Sequence, residues 1–193
     1  SKTIINAVVL WRKSLAFPNV DVFIKQVCGQ QVKSVGRRGK FLQIILSDQT
    51  LLIHLRMSGD IFHESVLATR DGRHDRLTLF FDDDSRMAFN DTRKFGRVWL
   101  VKDAQQVTGC LGPEPFDETL DASSFYKKLQ HVNRQIKPLL MDQKFLAGLG
   151  NIYTDEALFF AGIHPLTSSR DLDFHQVEKL LNAIHAVLEE GIA

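Results

Sequence analysis

The residues best suited to do chemistry in this sequence lie between 134 and 165, where lysine, asparagine and two glycines surround the start of a helix. Pro138 suits a first helical position, because its missing N–H would find no intrahelical partner there. Gly148 and Gly150 supply backbone freedom, and Asn151 follows as an N-cap candidate with Asp155 and Glu156 one turn on. Tyr153, Ala157, Phe160 and Ala161 repeat at helical spacing, Gly162 is a C′ candidate, and Pro165 closes the run. A helix N-terminus beside a glycine turn points backbone N–H donors outward, which makes an anion site that a phosphate would fit. An ordinary helical hairpin has the same features, so this pattern alone does not choose between them.

Cations form a second set. Lys40 follows Arg37-Arg38-Gly39, and repulsion within that group is expected to lower its pKa. Further basic clusters fall at Arg70, Arg73, His74 and Arg76, at Arg93-Lys94 with Arg97, and from Lys127-Lys128 through Arg134 to Lys137. Acidic residues concentrate elsewhere, in Asp82-Asp83-Asp84 and the last helix. A net charge of +1 does not by itself indicate a polyanionic partner, but this segregation predicts a basic face on a near-neutral protein. Taken singly, each cluster is more often solvated surface. Met57 precedes Ser-Gly and Phe95 precedes Gly, so both fall at strand ends where a side chain can project, although Met and Phe are more often core. Cys28 and Cys110 form no Cys-x-x-Cys pair, which argues against zinc and a redox dithiol in this chain. Both are expected to be reduced and partly buried, as in an intracellular protein.

The elements that must position these groups change character midway. Residues 3–11 read as a strand and 20–27 as a short helix ending at Gly29. Strands follow at 31–35 and 41–46, with Gly36–Gly39 between them, then at 50–55 and 60–63. Residues 64–74 read as a polar loop, and 77–81, 86–90 and 97–101 as strands. Many short strands at close spacing predict an antiparallel sandwich. Leu111-Gly112-Pro113-Glu114-Pro115 then leads into helices at 123–129, at the stretch above and from Asp173, where Asp173 and Gln176 form a capping-box pattern. The prediction is an α+β chain: a β-sandwich domain over 1–110 and a helical domain over 111–193. At 193 residues with 44% hydrophobic content, both can bury a core. No run approaches the ~18 apolar residues of a membrane span, and there is no signal-peptide layout.

Ile-Lys-Pro-Leu-Leu-Met-Asp-Gln followed by Gly-Leu-Gly-Asn-Ile-Tyr-x-Asp-Glu resembles the helix–two-turn–helix of the bacterial formamidopyrimidine-DNA glycosylase family. Further segments resemble it in order: Gly36-Arg-Arg-Gly-Lys-Phe-Leu42, Ile53-His-Leu-Arg-Met-Ser-Gly59, Asn90-Asp-Thr-Arg-Lys-Phe-Gly96 and Leu111-Gly-Pro-Glu-Pro115. The resemblance implies base-excision repair: extrusion of an oxidised purine from duplex DNA, cleavage of its glycosidic bond and nicking at the abasic site. It implies a wedge of Met57, Arg93 and Phe95 that fills the vacated space, and phosphate contacts from Lys40, His54, His74, Arg93 and Asn151, with Lys137 an addition. It also links Lys40 to proton transfer. The family's N-terminal proline nucleophile and following glutamate are not in this sequence, and neither is its cysteine-rich zinc finger. The resemblance therefore implies zinc only in a complete protein, no cofactor here, and a DNA-binding body inactive by itself. The expected partner is double-stranded DNA with oxidised bases, bound by a cytoplasmic monomer without a membrane. A non-catalytic damaged-DNA-binding module and a pyrimidine-preferring relative remain as alternative readings.

Overall fold

The computed structural model describes residues 2–192, which divide into two compact units, one ending at Gly109 and the other beginning at Cys110. In the first unit the chain runs β1 (Ile4–Val9), β2 (Leu15–Phe17), α1 (Val20–Val27), β3 (Val32–Arg38), β4 (Phe41–Leu46), β5 (Thr50–His54), β6 (Gly59–Ser65), β7 (Asp75–Phe81), β8 (Ser85–Asp91), β9 (Arg97–Val101) and α2 (Gln105–Thr108). The strands form two sheets, β1-β7-β8-β6 and β2-β9-β5-β4-β3. Alternation decides which side chains face inward. Ile44, Leu46, Leu51, Ile53, Val98 and Leu100 from one sheet share a core with Ile4, Leu77, Leu79, Met87 and Phe89 from the other. Asn19 caps α1 by accepting from Val22 N at 3.0 Å, and Phe23 and Val27 of that helix join the same core.

The second unit holds α3 (Ala122–Gln130), α4 (Ile136–Leu140), α5 (Asn151–Ala161) and α6 (Phe174–Ile192). Phe125, Leu129, Ile136, Leu140, Leu158, Leu180, Leu181 and Ile184 are among the residues that pack its separate core. The turn between α4 and α5 is knitted by Gln143, whose amide donates to Met141 O and Leu149 O and accepts from Gly148 N. Gly148 takes φ of +108°, a conformation that costs other residues, and Gly162 ends α5 in the left-handed region. Asp173 and Gln176 form the reciprocal capping box at the start of α6, at 3.0 and 2.8 Å.

The α+β class is as predicted, with several local differences. β2 runs parallel to β9, an exception in an otherwise antiparallel sandwich. β2 and α2 are only three and four residues long, too short to show a period in sequence. β3 continues through Arg38, so Gly36-Arg37-Arg38 is strand and only Gly39-Lys40 turns. Pro138 is the third residue of α4, still within the first turn, where N–H groups lack helical partners. Cys110 is exposed, not partly buried. Among the described residues, no helix is long and apolar enough to cross a membrane.

Asp173→Ala removes the half of the α6 capping box in which Asp173 Oδ1 accepts from Gln176 N. A loss of about 1 kcal/mol in urea unfolding is expected, and an unchanged midpoint would show that the box contributes nothing.

Candidate nucleic-acid interface

In the first unit the candidates sit on the turns and strand ends of the sandwich. The turn from β5 to β6 carries Met57, and the turn from β8 to β9 carries Arg93 and Phe95. Met57 is 73% exposed and Phe95 53% exposed, so neither is a core residue. Arg93 Nη1 lies 3.6 Å from Met57 Sδ, which brings the two tips together. Beside them Arg56 and Lys94 hold φ of +59° and +63°. Such backbone costs a non-glycine residue about 1–2 kcal/mol, so the surroundings must hold both turns in shape.

Asp91 does the holding, and nothing in the sequence singled it out. It is 1% exposed at the end of β8. Its carboxylate accepts from Ser58 Oγ at 2.6 Å in the first turn, and from Arg93 N at 3.2 Å and Gly96 N at 2.7 Å in the second. Burial pushes its pKa up, but these donors and Lys94 N–H outweigh it and keep the carboxyl below its ordinary value. Gly96 is required by close packing: a Cβ there would run into the Phe89 ring. The Lys94 ammonium lies 4.3 Å from the Trp11 ring centre.

Lys40, His54 and Arg56 form an electrostatic group at the end of the β4–β5 pair. Phe41 pairs with His54 across the strands, and their rings meet edge to face at 4.9 Å. His54 Nδ1 accepts from Arg56 N at 3.1 Å, so the ring proton sits on Nε2 and is available to an acceptor. Burial, then Arg56 and Lys40, lower the His54 pKa to about 4. His54 is therefore a neutral donor at physiological pH, not a cation. Lys40 is exposed, yet the protein around its ammonium lowers its pKa, with Arg56 adding repulsion. The direction matches the sequence expectation, but the causes are burial and Arg56 and not the neighbouring Arg37 and Arg38.

His74 lies at the end of the 66–74 loop. Its carbonyl accepts from Asp91 N at 2.9 Å, and Arg76 Nη2 is 3.4 Å from its Nδ1. Of the basic cluster around it, Arg73 is exposed and paired with Asp71, but the other arginines do not form a surface face. Arg76 is 8% exposed and donates to Asp91 O. Arg70 is clamped between Glu64 and Asp75, with Asn90 completing the Asp75 contacts and Arg86 those of Glu64. These arginines are spent inside the unit, fixing the loop that presents His74.

In the second unit, Asn151 is exposed and is the first residue of α5, not its N-cap. The cap is Gly150, and among the described residues no side chain caps this helix, which leaves first-turn N–H groups for an anion. Lys137 on α4 is joined to Asp155 on α5 at 2.7 Å. Arg134 is paired with Asp142 at 2.8 Å, and Lys128 lies 5.0 Å from the Phe145 ring centre. Among the described residues no group of three or more His, Cys, Asp or Glu side chains converges to hold a metal.

The comparisons with known proteins bear on both units. The family model described as formamidopyrimidine-DNA glycosylase N-terminal domain matches residues 1–98, and formamidopyrimidine-DNA glycosylase H2TH domain matches residues 111–193. Together they define the class: a DNA glycosylase built from a β-sandwich and a helix–two-turn–helix unit. Formamidopyrimidine-DNA glycosylases of Protochlamydia amoebophila and Enterococcus faecalis are each 40% identical over 99% of this chain and 69% of their own length. A Lactococcus lactis formamidopyrimidine-DNA glycosylase solved with Fapy-dG-containing DNA is 33% identical, with a TM-score of 0.90 over 99% of this chain and 73% of that one. The same protein solved non-covalently bound to DNA containing an abasic site is equally similar, over 74% of its length. The chain belongs to the formamidopyrimidine-DNA glycosylase family.

The His54 ring gives a direct test. Its folded pKa lies below the unfolded value, so the unfolded chain binds the extra proton between about pH 6.5 and 4. This contribution to stability is present above pH 6.5 and lost as pH falls towards 4. NMR of the ring nitrogens should show a neutral Nε2–H tautomer down to pH 5, whereas titration near 6.5 would contradict the geometry.

Proposed function

We propose that this chain is the DNA-holding body of a base-excision repair glycosylase that extrudes oxidised purines from duplex DNA and, with its nucleophile present, nicks the abasic site. The observation that carries this reading is the wedge: exposed Met57 beside the Arg93 guanidinium, and exposed Phe95 on the same turn as Arg93, with both turns held by one buried carboxylate. Extruding a base costs a few kcal/mol of stacking and pairing. Burying Met57 and Phe95 in the stack gains about 1.5–3 kcal/mol each, enough to offset that cost. Arg93 then donates to the orphaned base opposite, a contact of about 1–3 kcal/mol.

Residues 1–110 supply the wedge, Lys40, His54 and His74, and residues 111–193 supply Lys137 and the Asn151 helix start. Lys40 and Arg93 act on phosphates as cations. His54 and the α5 N-terminus act as neutral donors, which hold a phosphate without releasing a counterion. Lys137 reaches a phosphate by exchanging its Asp155 partner, so its net contribution is smaller. Lys40, with its lowered pKa, is also the group here best suited to pass a proton. The lyase step requires an amine nucleophile, which the family resemblance assigns to an N-terminal proline outside this sequence. The zinc finger implied by the same resemblance would need ligands beyond Cys28 and Cys110, the two cysteines of this chain.

The 193-residue chain should bind a duplex containing an abasic-site analogue with a salt dependence that separates these roles. Lys40→Ala should flatten the log–log salt slope by about 1, and His54→Ala should weaken binding with the slope unchanged. Salt-independent binding, or no binding, would overturn the reading. Borohydride trapping on DNA bearing oxidised guanine should give no adduct and no base release with these 193 residues. An adduct should appear once a Pro-Glu start is added, and its absence then would contradict the lyase assignment.

A further inference from the structure

The wedge residues touch DNA in the reading above, but Asp91 does not: it is buried and faces the protein. Its partners nevertheless lie on both wedge-bearing turns. Ser58 Oγ, next to Met57, donates to Asp91 Oδ1 and is also 3.3 Å from Arg93 N, which donates to it. Gly96 N, next to Phe95, donates to Oδ2. The carboxylate thus sits between two turns that are far apart in sequence, each bent by a left-handed non-glycine residue. On the backbone side, Asp91 N donates to His74 O and Asp91 O accepts from Arg76 Nε, so the strand end cannot slide away from the loop behind it.

We propose that Asp91 is the positioning residue of the wedge, tying the Met57 turn and the Arg93–Phe95 turn into one rigid body that enters the base stack without ordering at the moment of binding. The proposal rests on the DNA reading above. An amide cannot replace the carboxylate here, because its NH2 group would face a donor where an acceptor is needed. The energy that Asp91 supplies is expressed through Met57 and Phe95, so its effect on binding must depend on their presence.

The test is a double-mutant cycle on the 193-residue chain, with a duplex carrying an abasic-site analogue and 2-aminopurine as the opposite base. Binding of the unaltered chain should change the 2-aminopurine emission. Asp91→Asn should weaken binding about tenfold and suppress most of the emission change. On a Met57→Ala background the same Asp91→Asn change should cost about twofold or less. Ser58→Ala, which removes one donor and leaves the carboxylate in place, should show the same dependence on Met57 at about threefold, and it carries the test if Asp91→Asn does not fold. Equal losses on both backgrounds, or full emission change with Asp91→Asn, would overturn the positioning role. No emission change with the unaltered chain would overturn the DNA reading, and the proposal with it.

Discussion

A carboxylate taken out of water must be met by donors, and Asp91 finds its donors on two separate turns. That requirement shapes one end of the sandwich. Ser58 must present a hydroxyl, Gly96 must lack a Cβ, and the 92–96 turn must close so that successive N–H groups converge. The Met57, Arg93 and Phe95 side chains project because the backbone beneath them is committed to that one site. The strain of the left-handed Arg56 and Lys94 is held in the same way. An apolar tip on a loose loop would lose on ordering much of what it gains on burial.

Charge is distributed with similar economy. The sequence is rich in basic residues, yet Arg70, Arg76, Arg86 and Arg134 are paired or bonded within their own units. Among the candidate residues, those left for an anion form a small mixed set. Lys40 and Arg93 are cationic, His54 is a neutral donor fixed by Arg56 N, and the α5 start offers backbone N–H groups. In the proposed reading, a mixed set would grip phosphates while the net charge stays near zero, which limits binding to any polyanion at hand.

The sandwich strands and main helices were legible because their apolar residues repeat at periods of two and near 3.6. The Asp173–Gln176 box was legible because a cap is a local interaction. Elements of three or four residues, such as β2 and α2, carry no period. The residue type of Asn151 points to a cap, but the glycine before it already has the extended backbone that a cap needs, which moves the helix start by one residue. Arg70 and Arg76 read as surface because a sequence does not show that Glu64 and Asp75 face Arg70 across a loop, or that Arg76 reaches Asp91 O. Asp91 was visible only as a letter within a motif, since its meaning depends on a hydroxyl 33 residues earlier.

In the proposed reading the Met57–Arg93–Phe95 tips enter the base stack at the lesion. The most direct measurement is photo-cross-linking with p-benzoylphenylalanine in place of Phe95, on a duplex with a single abasic-site analogue. Cross-links should be confined to the strand opposite the analogue, within one or two nucleotides of the orphaned base. Cross-links spread evenly along the duplex, or none from a chain that still binds DNA, would contradict it.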